Sequence, residues 1–309
     1  MKIVIAGGTG FLGGPLAETY AEEGHDVRVL TRSLMSGDTR HDPGTGMPGI
    51  TKVGWKPDGS SGPWATTLES ADAVINLAGQ SLSAKRWTAS LKARLRDSRV
   101  LATRSLCKAL ASVGSRPQTF ISGSGIDYYA PSDQPVTERE PAGASFLAKL
   151  CVDWEQEARH AEAAGVRVVL LRTAIVLERS GGALPELTRP FKFFVGGPIG
   201  GGSQYVSWIH RLDWVEMVRW IVQTPAVSGP VNVSTPHPVT SRHFARALGH
   251  AMRRPSLIPA PSFALKIVAG EFGEYLLASH RAIPTCAQQQ GYHFRYPEIE
   301  IAFRGLFGE

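Results

Sequence analysis

Cysteine is scarce in this chain of 309 residues. The three cysteines, Cys107, Cys151 and Cys286, are far apart and odd in number, so they indicate neither a disulfide framework nor a zinc site. The nine histidines show no HExxH motif and no ligand spacing with cysteine. We therefore expect a reducing, cytoplasmic environment and no bound metal.

Long apolar runs and a strong charge imbalance are lacking as well. No run approaches the roughly 18 apolar residues of a membrane span, and residues 1–6 lack the long apolar core of a signal peptide. Charged residues make up 19% of the chain and the net charge is +6, without the clustering with aromatics that nucleic-acid binding favours. These patterns argue against membrane and nucleic-acid partners. They are compatible with an anionic small molecule.

What the chain does have is a regular alternation of buried strands and amphipathic helices. The apolar pattern predicts strands at 3–6, 27–30, 73–77, 119–122 and 166–171, and helices at 12–20, 87–110 and 145–164. Such alternation is typical of an α/β protein with a doubly wound parallel sheet. We expect this domain to span 1–235, with 176–205 contributing to a substrate cleft. Residues 236–309 are expected to form a smaller C-terminal α+β substrate or lid domain.

The turn after the first strand is rich in glycine. Gly8, Gly10 and Gly13 fit G-x-G-x-x-G, and Gly7, Gly10 and Gly13 fit a shifted variant. In dinucleotide-binding proteins these glycines make the tight turn, admit the pyrophosphate and pack helix on sheet. The position between a predicted strand and helix favours that interpretation over a plain strand-to-helix turn.

The end of the second strand indicates which dinucleotide is bound. NAD proteins usually place an acidic residue there, but this chain has Thr31 and Arg32. An arginine at this point can bind the 2′-phosphate of NADP through charge-assisted hydrogen bonds. The alternative is a surface loop arginine. We predict NADP(H) as the cofactor.

An ordered set of motifs then points to a family. It comprises Gly7–Gly13, Asn76–Gly79, Arg86–Trp87, Ser98–Arg99, Ser124 with Tyr128–Tyr129, Trp154–Glu155, Arg172–Thr173, Gly181–Pro185, Gly196–Gly200 and Ser207–His210. Together these motifs resemble the epimerase family proteins among the atypical extended short-chain dehydrogenases/reductases. The C-terminal Gly291–Phe294 and Tyr296–Pro297 resemble that family's small terminal domain.

The resemblance implies a Rossmann fold of the extended short-chain reductase type and a set of cofactor contacts. Besides Gly7, Gly10 and Gly13, the implied contacts are Phe11, Leu12, Thr31, Arg32, Leu77, Ala78, Gly79, Arg99 and Ile175. From the residues alone, Arg99 would be interpreted as part of a solvated helix face, like Arg94 and Arg96.

The proton-transfer residues are harder to assign. The superfamily uses a serine, a tyrosine and a lysine four residues after the tyrosine; here Lys149 is preceded at that distance by Ser145, a much weaker acid. Candidate catalytic residues are Ser124, Tyr128, Tyr129 and Lys149. For Ser124 the alternative is a turn residue, for the tyrosines a packing role, which we favour, and for Lys149 an exposed lysine. Asp127 and Ala130 replace the glycines that usually flank the tyrosine pair.

Two functions follow. The first is an oxidoreductase or epimerase acting on a hydroxyl or carbonyl group of a small molecule, such as a nucleotide sugar. The second is a catalytically weak NADP(H)-binding regulator, which the missing tyrosine favours. Helices 92–110 and 146–163 lie where related proteins pair, so a homodimer is a further expectation.

Overall fold

The computed structural model describes residues 1–33, 49–82, 87–261, 263 and 271–308. In chain order its strands are β1 (Lys2–Ala6), β2 (Asp26–Thr31), β3 (Ile50–Gly54), β4 (Ala73–Asn76), β5 (Thr119–Gly125), β6 (Ser132–Val136), β7 (Arg167–Thr173), β8 (Ile175–Leu177), β9 (Tyr205–Val206), β10 (Trp208–His210), β11 (Gly229–Val233), β12 (Val239–Thr240) and β13 (His280–Ala282).

The helices of the described residues include three short 3₁₀ turns, Pro63–Leu68, Ile126–Tyr128 and His160–Ala164. The α-helices are α1 (Gly13–Glu22), α2 (Ala89–Ser112), α3 (Phe146–Arg159), α4 (Leu184–Lys192), α5 (Arg211–Gln223), α6 (Ser241–Met252), α7 (Glu271–Leu277), α8 (Thr285–Gln289) and α9 (Ile299–Phe307).

Seven parallel strands form the central sheet, in the order β11-β7-β5-β4-β1-β2-β3. The strand order reverses between β1 and β4, so the connections leave to opposite sides there and open a crevice at the carboxyl ends of these strands. The predicted doubly wound parallel sheet is confirmed, and the crevice is the place where such sheets bind ligands.

The sheet is parallel because its strands are apolar on both faces. Ile3 and Ile5 of β1 pack with α1 and α5 on one face, whereas Val4 packs with α2 on the other, and all three side chains are fully buried. Helix α1 buries a stripe that includes Leu16 and Tyr20. It ends at Glu22 with Glu23 as the C-cap, and Gly24 follows with a φ of +79°, the left-handed conformation that commonly terminates helices.

The C-terminal residues form a second core and then return to the sheet. Helices α6 and α9 pack together through Phe244 and Phe303, whose ring centroids are 5.1 Å apart. Strand β12 pairs with β9, and β13 pairs with β6. After β13, Ala287 of α8 joins the core under the central sheet.

Several predicted boundaries move. Strand β5 extends to Gly125 rather than ending at Ser122, and α2 spans Ala89–Ser112 rather than 87–110. The N-cap of α5 is His210 rather than Asp213, because His210 Nδ1 accepts a hydrogen bond from the Leu212 N–H at 3.1 Å. His210 is buried and stacked on Tyr296, so it is a core histidine with a structural role.

Candidate functional site

The glycine turn between β1 and α1 has the shape that a close approach of backbones requires. Gly7 has a φ of +82°, and the Gly10 N–H donates to its carbonyl oxygen at 3.0 Å. A Cβ on Gly13 would collide with that same oxygen, and a Cβ on Gly8 would lie 2.7 Å from the Val29 side chain. The spacing of Gly7, Gly10 and Gly13 therefore bends the chain tightly and brings α1 against the sheet.

The outer side of this turn can accept an anion. Leu12 occupies the N-cap position of α1, and its side chain cannot accept hydrogen bonds from the first-turn N–H groups. A Cβ on Gly10 would meet only the Gly7 oxygen, at 3.2 Å, so the outer side of this residue is open. An uncapped helix N-terminus behind a glycine turn fits the pyrophosphate of a dinucleotide.

The loop after β4 lies directly against the turn. A Cβ on Gly7 would be 2.8 Å from the Leu77 carbonyl group, and the Ala78 N–H donates to Asn76 Oδ1 at 3.2 Å. The Asn76 side chain in turn donates to Thr103 Oγ1 on α2, at 2.8 Å. The buried amide of Asn76 thus fixes the backbone of Leu77 and Ala78 beside the glycine turn.

Arg99 reaches this loop from α2. Arg99 is only 9% exposed. Its guanidinium carbon lies 5.3 Å from the centre of the Trp154 ring and would be 3.2 Å from a Cβ on Gly79. Burial lowers the pKa of Arg99, partly offset by Cys151 and Asp127. The interpretation as a solvated helix-face residue does not hold for Arg99, although Arg94 and Arg96 are exposed.

The end of β2 carries the residues predicted to choose the nucleotide. Thr31 is 6% exposed, and its hydroxyl lies 2.8 Å from the Ser33 hydroxyl. Arg32 is exposed at the same edge of the sheet as the glycine turn. The guanidinium group is therefore placed where a ligand crossing the β1–β2 edge would meet a positive charge.

A buried polar network joins the ends of β5, β7 and β11. Ser124 donates to Glu155 Oε1 at 2.7 Å, and Arg172 donates to both oxygens of Glu155 at 2.8 and 2.9 Å. Arg172 also donates to the Tyr129 hydroxyl at 2.9 Å, and that hydroxyl donates to Asn232 Oδ1 at 2.7 Å. We call these five residues the strand-end network.

The tyrosine pair is held by this network. The Arg172 guanidinium lies 3.4 Å from the centre of the Tyr128 ring, and the two tyrosine rings meet edge to face at 5.4 Å. Burial raises the pKa of Tyr129 to about 12, against the opposing charge of Arg172. The Tyr129 hydroxyl is fully engaged and packs the loop against the sheet, whereas Tyr128 is half-buried.

Three other predicted residues lie apart from the network. Ser145 is the N-cap of α3, and its hydroxyl accepts a hydrogen bond from the Ala148 N–H at 3.0 Å. Lys149 is exposed one turn later. Ile175 is half-buried in β8, opposite Trp208 of β10. The serine at the usual tyrosine position thus has a local role at the start of its helix.

Sequence reasoning assigned no role to Glu155, Arg172, Asn232 or Thr103. A signal existed for two of them, because Glu155 interrupts the apolar stripe of α3 and Arg172 follows the buried run of β7. Buried charges usually require a partner of opposite charge. The buried glutamate therefore predicted a buried cation, and the buried arginine a buried anion. The partner's identity depends on tertiary contacts that the sequence does not display.

Among the described residues, no helix is both long and apolar enough to cross a membrane. The parallel sheet with its reversal point, the glycine turn and the uncapped α1 define an NAD(P)-binding protein of the Rossmann type. The profile described as "NAD dependent epimerase/dehydratase family" matches residues 3–234, and a "domain of unknown function (DUF1731)" matches residues 260–306. The chain belongs to the NAD dependent epimerase/dehydratase family, within the extended short-chain reductases.

Similar proteins cover the whole chain. Epimerase family protein ML0860 of Mycobacterium leprae is 38% identical over 301 residues, which are 96% of this chain and 92% of that protein. The crystal structure of human epimerase family protein SDR39U1 (isoform 2) with NADPH has a TM-score of 0.87 at 30% identity and covers 99% of both chains. The nucleoside-diphosphate sugar epimerase of Corynebacterium glutamicum has a TM-score of 0.77 at 29% identity and covers 100% of this chain and 58% of its own.

Proposed function

We propose that this protein is an NADP(H)-dependent oxidoreductase or epimerase that acts on a hydroxyl or carbonyl group of a small molecule, such as a nucleotide sugar. The observation that carries the proposal is the adjacency of two features at one edge of the sheet. The open glycine turn with the uncapped α1 lies beside the loops after β4 and β5, where buried polar groups gather.

The proposed cofactor residues are those that the family resemblance implies, taken in the order in which a dinucleotide would cross the crevice. Its pyrophosphate would bind at Gly7, Gly10 and Gly13, with Phe11 and Leu12 contributing backbone N–H groups at the start of α1. Thr31 and Arg32 would contact the adenosine side. The residues assigned to the other side of the turn are Leu77, Ala78, Gly79, Arg99 and Ile175. The NADPH in the SDR39U1 structure supports the choice of nucleotide.

When bound, the nicotinamide supplies or accepts the hydride. Ser124, whose hydroxyl donates to Glu155, would present its lone pairs to a substrate hydroxyl. Tyr128 would lie along the same loop, and Tyr129 would hold the loop through Arg172. Lys149, which is exposed on α3, would hold the ribose as the lysine of the superfamily does. Residues 176–205 and 236–309 would provide the substrate side of the cleft.

Arg32 gives the sharpest test of the nucleotide. Arg32→Ala should weaken NADPH binding by about 10- to 100-fold, because a charge-assisted hydrogen bond to the 2′-phosphate is lost, and should leave NADH binding unchanged. Titration of both nucleotides against intrinsic fluorescence measures this. Arg28→Ala on the same strand, where Arg28 pairs with Asp26, is the matched control. Equal affinity of the wild type for NADH and NADPH would contradict the choice of NADP.

A second function is favoured by one observation, the N-cap role of Ser145 at the usual tyrosine position. In that case the protein binds NADP(H) and acts as a redox-responsive regulator. A panel of carbonyl compounds and nucleotide sugars with NADPH, followed at the nicotinamide absorbance, separates the two. Turnover supports the enzyme, whereas tight NADPH binding without any turnover supports the regulator.

A further inference from the structure

The loop between β5 and β6 contains a buried carboxyl group outside the strand-end network. Asp127 is partly exposed as a residue, but its Oδ1 atom is buried and has no hydrogen-bond partner in the described part of the chain. A Cβ on Gly125 would lie 3.1 Å from Oδ2, so the carboxyl group folds back over the end of β5. A buried carboxyl oxygen without a partner is costly, and the cost is explained if a ligand meets it.

Three elements close around this carboxyl group. The Tyr275 hydroxyl of α7 donates a hydrogen bond to it, and Arg99 of α2 places a positive charge nearby. The Cys151 sulfur of α3 lies on the same side of Gly125 as the carboxyl group, 3.7 Å from where a Cβ on Gly125 would be. Burial raises the pKa of Cys151 to about 12, so the thiol is neutral. Arg99 is thus the charged group among these neighbours.

Helix α7 is held at both of its ends. Glu271 at its start forms an ion pair with Lys92 of α2, and Leu277 at its end packs on Gly200. Tyr275 is therefore carried over the end of β5 by an element that connects the C-terminal part of the chain to α2. The Asp127 carboxyl group thus has a second group that carries a proton beside it, the Tyr275 hydroxyl on α7.

The position of Asp127 relative to the glycine turn follows from a series of contacts. Gly7 lies against Leu77, the guanidinium of Arg99 lies against Gly79, and the charge of Arg99 is near enough to lower the pKa of Asp127. If the adenosine half of the dinucleotide lies toward β2, the nicotinamide half lies toward β4 and β5, because the ligand crosses the sheet at the reversal of strand order. Asp127 then lies on the nicotinamide side.

We propose that the Asp127 carboxyl group, hydrogen-bonded by Tyr275, is the proton donor and acceptor of the reaction and replaces the tyrosine that this chain lacks at position 145. The proposal rests on the oxidoreductase or epimerase function. In a reduction, the substrate carbonyl carbon accepts the hydride from NADPH while its oxygen takes the proton of Asp127. The products are the alcohol, NADP⁺ and the Asp127 carboxylate. In the oxidation the same proton returns to Asp127 from the substrate hydroxyl.

The electrostatic surroundings suit this role. Burial raises the pKa of Asp127 to about 7, against the opposing effects of the Tyr275 hydrogen bond and the Arg99 charge. A proton donor is most efficient when its pKa lies near the working pH. The Asp127 carboxylate that forms is stabilised by the Tyr275 hydroxyl and the Arg99 charge, so the group can cycle between its two states.

Proton release on nucleotide binding tests the position of Asp127 without a substrate. The positive ring of NADP⁺ beside Asp127 should lower its pKa, so that NADP⁺ releases about 0.4 proton more per chain than NADPH at pH 7 for a shift of about one unit. Both nucleotides carry the same 2′-phosphate, so their difference isolates the ring. The excess should vanish in Asp127→Asn and persist in Asp133→Asn, an exposed residue of β6.

Kinetics test the role. For each panel carbonyl that the wild type reduces, Asp127→Asn should lower kcat by about 10²- to 10⁴-fold while retaining NADPH binding. Tyr275→Phe should retain most of kcat and move the pH limb governed by Asp127 to higher pH, because the lost hydrogen bond favoured the charged carboxylate. A purely structural Tyr275 would leave that limb in place.

The outcomes separate the two proposals. If the wild type binds neither nucleotide, or turns over no panel compound, the proposed oxidoreductase function fails. If the wild type reduces carbonyls but Asp127→Asn keeps its turnover, or the excess proton release persists in that variant, the role of Asp127 is overturned while the oxidoreductase function stands.

Discussion

At the scale of single residues, Glu155 and Arg172 form an ion pair in which both charges are buried. Their side chains are 4% and 3% exposed, so neither charge is solvated by bulk water. Both Glu155 oxygens accept hydrogen bonds from Arg172, and Ser124 adds a third. Burial alone would lower the pKa of Arg172, but the hydrogen bonds and charge of Glu155 raise it overall. The pair is stable because each charge neutralises the other.

Arg172→Met should therefore lower the free energy of unfolding by about 3–5 kcal/mol, because it leaves Glu155 buried without a cation. Arg28→Met on β2 removes a half-exposed partner of Asp26 and should cost at most about 1 kcal/mol. Urea unfolding curves of the two variants measure the difference. Equal losses would contradict the view that the Glu155–Arg172 pair differs in kind from a surface pair.

At the scale of elements, local signals predicted the sheet and the glycine turn, but non-local contacts decided the rest. The run Ile3–Ala6 followed by Gly7 identified β1 and its turn because period and backbone freedom are local properties. Asp213 carries an equally good local signal for an N-cap, yet its carboxylate accepts the N–H groups of Arg295 and Tyr296, more than 80 residues away. The hydrogen bond between Ser124 and Glu155 could not be predicted from the sequence for the same reason.

Adjacent glycines in α1 give a matched pair of substitutions. Gly13→Ala should abolish NADPH binding and destabilise the protein, because its Cβ would collide with the Gly7 carbonyl oxygen and push α1 away from the turn. Gly14→Ala should be neutral or stabilise by up to about 1 kcal/mol, because the nearest atom to its Cβ would be 3.9 Å away and alanine favours helix. NADPH titration and thermal unfolding of both variants measure this. Wild-type NADPH affinity in Gly13→Ala would show that the turn tolerates a wider approach.

At the scale of the whole molecule, polar side chains of residues 207–235 hold the C-terminal residues by hydrogen bonds. The Ser207 hydroxyl donates to the His280 oxygen at 2.7 Å and accepts the Ala282 N–H at 2.8 Å. Asn232 donates to the Ile283 oxygen at 2.9 Å, and Thr235 donates to the Pro297 oxygen at 2.7 Å. The sequence analysis places a domain boundary after residue 235, but these long-range bonds predict that the parts on either side unfold together.

Asp213 tests this cooperativity. It is fully buried, and its two oxygens accept the N–H groups of Arg295 and Tyr296, both at 2.8 Å. Asp213→Ala should lower the free energy of unfolding by about 2–3 kcal/mol, because two N–H groups lose their acceptor. Asp97→Ala, at an exposed site of α2, should have little effect. Tryptophan fluorescence and far-UV circular dichroism should report one coincident transition in both variants. A separate early transition in Asp213→Ala would show that the C-terminal residues unfold independently, and the substrate side of the cleft would then be able to open without loss of the NADP(H) site.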